Sequence, residues 1–175
     1  MTGKILHKVV GASHVLKPVG DVRVTQGPSL NRFLVQLAET DILKSVVVDL
    51  SEASVLDSTA LGFLAKIAIT TESQFGFKPT LLFGHEDIHR VLDSMGFHQI
   101  FLILQSQRTD QSEMAELVAD QFSEAGLRAQ VLAAHKTLMD LNHHNHAEFC
   151  DLVAALENEC GQEPEQPSAA KGCVA

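Results

Sequence analysis

Long apolar runs are missing from this sequence. Nothing in its 175 residues approaches the roughly 18 consecutive apolar positions that a membrane-crossing helix requires, so no membrane partner is expected. The first residues, MTGKILHKVVGASH, have no extended apolar centre and no small-residue cleavage site, so no secretory leader is read there. Cysteine is scarce. Cys150, Cys160 and Cys173 are odd in number and cluster near the end of the chain, which excludes a disulfide framework and favours a reduced, cytoplasmic protein. No role is read for Cys160 or Cys173. Positive charge is also short, with 13 Lys and Arg against 22 Asp and Glu and a net charge of −9. Nucleic-acid binding needs a basic face, and none is available. A glycine-rich phosphate loop is absent, as is any Ser/His/Asp ordering of a hydrolytic triad, so neither enzyme nor cofactor is expected. Hydrophobic residues, by contrast, make up 45% of the chain, enough for a real core.

The negative charge is unevenly placed. Up to Arg108 ten basic residues balance ten acidic ones; from Thr109 onward three face twelve. This step suggests a boundary near Gln107–Asp110 and three segments. Residues 1–108 form a first domain and 109–160 an acidic helical extension. The remainder, 161–175, has no periodicity and reads as a disordered tail.

Periodicity supplies the elements. Lys4–Val10 and HVLKPVGDVRV read as strands, with Pro18 suggesting an edge or bulge position. GPSLNRFLVQLAET begins a helix at Gly27-Pro28, with Leu30, Phe33, Leu34 and Leu37 on one face. SVVVDL is a short continuous apolar run, as in a strand covered on both sides. TALGFLAKIAITTESQF is a helix with Leu61, Leu64, Ala65 and Ala68 in one stripe. PTLLFG and IFLILQ are strands flanking EDIHRVLDSMG, a helix with Ile88, Val91, Leu92 and Met95 inward and Gly96 as its stop. The order β-β-α-β-α-β-α-β predicts an α/β fold: a small mixed sheet of about four to five strands with packed helices. The acidic extension reads as helix throughout. Its stripes are Met114, Leu117, Val118 and Phe122; then Leu127, Val131, Ala134, Leu138 and Leu141; then Phe149, Leu152, Val153 and Leu156. Asn142–Asn145 marks a break. Such stripes fit three uses: covering the sheet, pairing with a second copy in self-association, or docking a regulator.

One stretch carries the functional reading. VVVDLSEASVLDSTALGFLAKIA, from Val46 to Ala68, runs from an apolar strand through a polar break into a helix. The break ends on Asp57-Ser58-Thr59. Helix capping accounts for a carboxylate and a hydroxyl at such a point. Capping does not account for a second hydroxyl, nor for the small residues of Ala60-Leu61-Gly62, which let another surface approach closely.

The stretch resembles the signature of bacterial anti-sigma factor antagonists of the STAS domain family: an apolar strand ending in Asp-Leu, a loop, then Asp-Ser followed by small residues, Gly and Leu. Gly20-Asp21-Val22 is similar to the family's turn after its second strand, and the element order agrees from about Lys4 to Glu116. Two residues depart from the pattern. Ala60 stands where glycine is usual, which a helical backbone there accommodates. Arg23 replaces a frequent acidic residue, which implies a different complementary surface on the partner. The resemblance implies a STAS-type fold plus a C-terminal helical extension. It implies phosphorylation of Ser58, with Thr59 as the alternative acceptor. Gly20, Asp21, Val22, Arg23, Asp57, Ser58, Thr59, Ala60, Leu61 and Gly62 would then contribute to partner binding. The implied partners are an anti-sigma factor that is also a serine kinase, and a PP2C-type phosphatase or response regulator. The unphosphorylated form would bind the anti-sigma factor and so regulate transcription indirectly. A constitutive STAS subunit of a stressosome-like or lipid-transport complex is the alternative role.

Two histidine motifs remain. His85–His89, HEDIH, matches the H-E-x-x-H pattern of zinc proteases, with Glu86 as the base. Because it follows directly on a strand and Gly84, His85 is expected before the helix begins, which separates the two histidines. Glu86 and Asp87 then complement the dipole of the first turn. In NHHNHAEFC, His143, His144, His146 and Cys150 lie close in sequence, and His146 and Cys150 share a helical face. A polar helix junction explains the same residues, and no metal is expected.

Overall fold

The structure, a computed structural model, describes residues 2–107 and 110–161. Strands β1 (Lys4–Val10) and β2 (Ser13–Val22) form an antiparallel hairpin through Gly11, whose φ of 59° suits glycine. A 3-10 turn at Val24–Gln26 leads into α1 (Gly27–Ala38). There follow β3 (Ser45–Leu50), β4 (Ala53–Leu56), α2 (Ser58–Phe75), β5 (Thr80–Phe83), α3 (Glu86–Ser94) and β6 (Leu102–Gln105). The chain ends with β7 (Ala115–Glu116), α4 (Glu124–Met139) and α5 (His143–Cys160).

The sheet has the order β6-β5-β3-β2-β1-β7, with β4 also pairing to β2. Strands β2, β3, β5 and β6 run parallel, whereas β1 is antiparallel to both its neighbours. The mixed α/β sheet of the sequence reading is therefore present, and its five strands are joined by two short ones, β4 and β7. One face of the sheet makes the core. Leu16, Val48, Leu50 and Leu81 are fully buried in a cluster with Leu30, Phe33 and Leu37 of α1 and Phe63, Leu64 and Ile67 of α2. Helix α2 ends at Gly76, which takes the left-handed conformation at φ 77° that an L side chain resists.

Three readings of the sequence change. Of the edge or bulge position read for Pro18, the edge is excluded, because β2 lies in the middle of the sheet. Its pairing with β3 ends at Leu16–Val48, and pairing with β4 begins at Gly20–Ala53 with a register shift after Gly20. The proline, which has no N–H to give, sits in that gap. Second, the extension is not helical from its start. Ala115–Glu116 adds a strand to β1, and the Leu117 N–H bonds the Ile5 carbonyl. Met114, Leu117, Val118 and Phe122 are spaced like a helix, but an unpaired β1 edge captures the backbone instead. Third, the amphipathic stripe read for α2 is too narrow: ten of its residues are buried, because helices pack on more than its sheet-facing side.

Of the break read at Asn142–Asn145, only Asn142 lies between the last two helices; His143–Asn145 open α5, which the Asn142 side chain caps by accepting the Asn145 N–H at 2.8 Å. Helix α4 lies along α2, and α5 lies along α4. Of the tail 161–175, only Gly161 lies within the described residues. None of the described helices is long and apolar enough to cross a membrane.

Candidate functional site

The polar break between β4 and α2 is built around Asp57. Its extended backbone (φ −85°, ψ 168°) makes it the N-cap, and Oδ1 accepts the Ala60 N–H at 2.8 Å. The second carboxylate oxygen accepts the Val24 N–H at 2.7 Å, and the Asp57 N–H bonds the Val22 carbonyl at 3.1 Å. One side chain thus caps the helix and ties it to the turn that follows β2. The turn read at Gly20-Asp21-Val22 is instead the end of β2, paired with β4; there Asp21, beside the register shift at Gly20, pairs with Arg23 just past the strand at 3.6 Å. Asp57 therefore brings the two sequence-predicted segments, 20–23 and 57–62, side by side. It is the capping residue, and Ser58 is the first residue of the helix.

Burial divides the predicted set. Val22, Ala60 and Leu61 belong to the core and shape the surface from beneath. Ala60 is helical, as its substitution for glycine requires; among the described non-glycine residues only Glu113 has positive φ. Thr59 is 6% exposed, whereas Ser58 is half-buried, so Ser58 is the better placed hydroxyl for modification.

Ser58 has a partner that no sequence pattern announced. Its Oγ lies 2.8 Å from Nε2 of His135, a residue of α4 that is 4% exposed. The Nδ1 of the same ring lies 2.8 Å from the Val131 carbonyl, one turn earlier in α4. With the Nδ1 proton given to that carbonyl, Nε2 carries the lone pair and the Ser58 hydroxyl donates to it. Phe149 of α5 packs its ring against the imidazole, with centroids 5.8 Å apart. One turn along α2, Gly62 meets Ala134 so closely that a Cβ on the glycine would lie 2.5 Å from the Ala134 carbonyl oxygen. The close approach that the small residues permit is thus made by the chain's own α4. A hydroxyl bound to an imidazole has the form of a nucleophile–base dyad. Here the ring is enclosed by Phe149 and α2, and the pair as placed joins two helices.

The histidine motifs resolve simply. His85 is the extended N-cap of α3 and His89 lies on the helix, stacked on Phe83 at 4.4 Å, so the two do not share a helical face. His143, His144, His146 and Cys150 all lie on α5. Cys150 Sγ faces the Ala147 carbonyl at 3.7 Å. Among the described residues no three His, Cys, Asp or Glu side chains come together as metal ligands do. Cys173 lies outside the described residues.

A family model described as the STAS domain matches residues 6–114, from the third residue of β1 to the residue before β7. No curated protein matches the chain.

Proposed function

The chain belongs to the STAS domain family, whose members are in general signalling modules, not enzymes, and on that premise we propose that it is a phosphorylation-switched anti-sigma factor antagonist. The observation that carries this reading is the placement of Ser58. It is a half-buried hydroxyl on the first turn of a capped helix, beside the end of β2 at Gly20–Arg23, while the neighbouring Thr59 is buried. Unphosphorylated, this surface binds an anti-sigma factor that is also a serine kinase; a PP2C-type phosphatase or a response regulator reverses the modification.

The physics of such a switch is local. A phosphate brings about −1.5 to −2 charges at pH 7. At a helix N-terminus the free N–H groups and the helix dipole tolerate it, so the domain stays folded. It also lies beside Asp57 and inside any interface centred on Ser58, where an unpaired dianion is costly. Binding is lost while the fold is kept.

The test is incubation of the full chain with ATP and a candidate partner kinase, followed by intact-mass analysis and partner affinity for three proteins. Wild type should gain one phosphoryl group, mapped to Ser58. Ser58→Ala should bind the partner and resist modification. It should lose about 1–3 kcal/mol of stability, because the buried Nε2 of His135 is left unpaired. Ser58→Asp should bind more weakly by roughly 1–3 kcal/mol, as for a charge placed in an interface. Equal affinities for all three would instead make this a constitutive STAS subunit of a stressosome-like or lipid-transport assembly. The cover that α4 places over Ser58 is the observation that keeps this second reading alive.

A further inference from the structure

A helix-docking surface on this protein is already occupied. Ser58 and Gly62 stand one turn apart on α2, and α4 seats His135 and Ala134 over them. The seat is specific at both points. With Nδ1 donating to the Val131 carbonyl, the Ser58 hydroxyl donates a hydrogen bond to Nε2 of the buried His135 ring at 2.8 Å, and a Cβ added to Gly62 would lie 2.6 Å from the Ala134 Cβ. His135 is in turn fixed by the Val131 carbonyl and by Phe149.

We propose that α4 is a tethered occupant of the partner-docking surface, and that phosphorylation of Ser58 unseats it. This rests on the reading of Ser58 as the modified residue. In the phosphoryl transfer the Ser58 Oγ–H bond is broken and an Oγ–P bond forms; the γ-phosphoryl group leaves ATP as ADP departs, and the hydroxyl proton passes to the kinase's base. The modified oxygen has no proton to give Nε2, which lies 2.8 Å from it in a buried ring, and the added group must be placed beside that ring. Within the seat the ring is held by the Val131 carbonyl and Phe149, and the contact of Ala134 with Gly62 sets α4 against α2. An external partner that reads unmodified Ser58 must displace the same helix, and in the phosphorylated chain it is the charge on Ser58, not α4, that keeps the partner off. The surface therefore fits a partner that presents a helix of its own, with a small residue to lie over Gly62.

The seat can be tested in the full chain without any partner. Phosphoserine is introduced at position 58 during translation, and backbone hydrogen exchange is followed across α4 and β3. Exchange in 124–139 should become at least tenfold faster than in the unmodified chain, while β3 stays protected. Gly62→Ala is the second variant. Alanine improves α2 as a helix, yet its methyl group collides with Ala134, so α4 should loosen with Ser58 unmodified. Unchanged or slower exchange of α4 in the phosphorylated chain, or loss of protection in β3 together with α4, would overturn the proposal. A kinase that never modifies Ser58 would defeat the proposed function but leave this exchange result standing.

Discussion

His7 and His14 face each other across the first hairpin. Nε2 of one lies 3.3 Å from Nδ1 of the other, and both rings stand edge-on to Phe33 of α1. Burial holds both pKa values below the ordinary 6.5, and for His7 the charge of His14 adds to the effect. The folded protein therefore keeps both rings neutral at a pH where the unfolded chain has begun to take up protons. Stability is fully present above about pH 6.5 and is lost as the pH falls through and below that value. His7→Phe keeps an aromatic ring against Phe33 and removes one titrating group. The melting temperature should fall less between about pH 7.5 and 5.5 in this variant than in wild type. Equal falls would mean that the hairpin pair does not set the acid sensitivity. Neither histidine announced itself in the sequence, because they are joined only by the register of β1 against β2.

At the level of elements, β2 and β3 are cross-linked by charge. Lys17 is completely buried, with Nζ 3.3 Å from Asp49 Oδ2 and 2.9 Å from Glu52 Oε1. By the alternation of a strand, Lys17 and Asp49 point away from the face that carries Leu16 and Val48. A buried ion pair adds little by its presence, but removing one partner leaves a buried charge without compensation. Lys17→Met should therefore cost about 3–5 kcal/mol in urea unfolding, and Lys17→Met with Asp49→Leu should recover part of that loss. A single variant as stable as wild type would show that water reaches the site. A signal for this pair was present in the sequence: HVLKPV and VVVDL each place one charge inside an apolar run. Periodicity located both strands but gave no partner for either charge. The start of α2 was legible for the opposite reason. Its cap, its small residues and the strand before it are local, and Asp57, Ser58 and Gly62 carry them within six consecutive positions. The Ser58–His135 bond spans 77 residues and depends on how two helices pack, so no local pattern could contain it. The β7 strand was hidden because it is two residues long and owes its form to the β1 edge.

For the molecule as a whole, the charge step and the completion of the sheet fall at different places. Charge changes at Arg108, yet β7 at 115–116 closes the β1 edge, Leu117 enters the core, and Gln111 donates to Glu52 at 2.8 Å. The segment after Arg108 thus finishes the sheet before the helices begin. Helices α4 and α5 contribute Leu138, Phe149 and Val153 to the core cluster, each worth roughly 1.5–3 kcal/mol when buried, less the entropy of ordering two helices. A chain ending at Ser123 keeps β7, Leu117 and Phe122, which packs near Gly27. It should unfold cooperatively at a lower temperature than the full chain, because the core of α1, α2 and the sheet closes without α4. A chain ending at Gln107 loses β7, Leu117 and the Lys8–Glu113 ion pair as well. It should be less stable than the longer truncation by a margin visible in thermal melts. If the chain ending at Ser123 is molten while the full chain melts cooperatively, α4 is an integral layer of the core. A helix that can leave its seat must leave a folded domain behind, so this comparison fixes whether the cover over Ser58 is a removable part of the molecule.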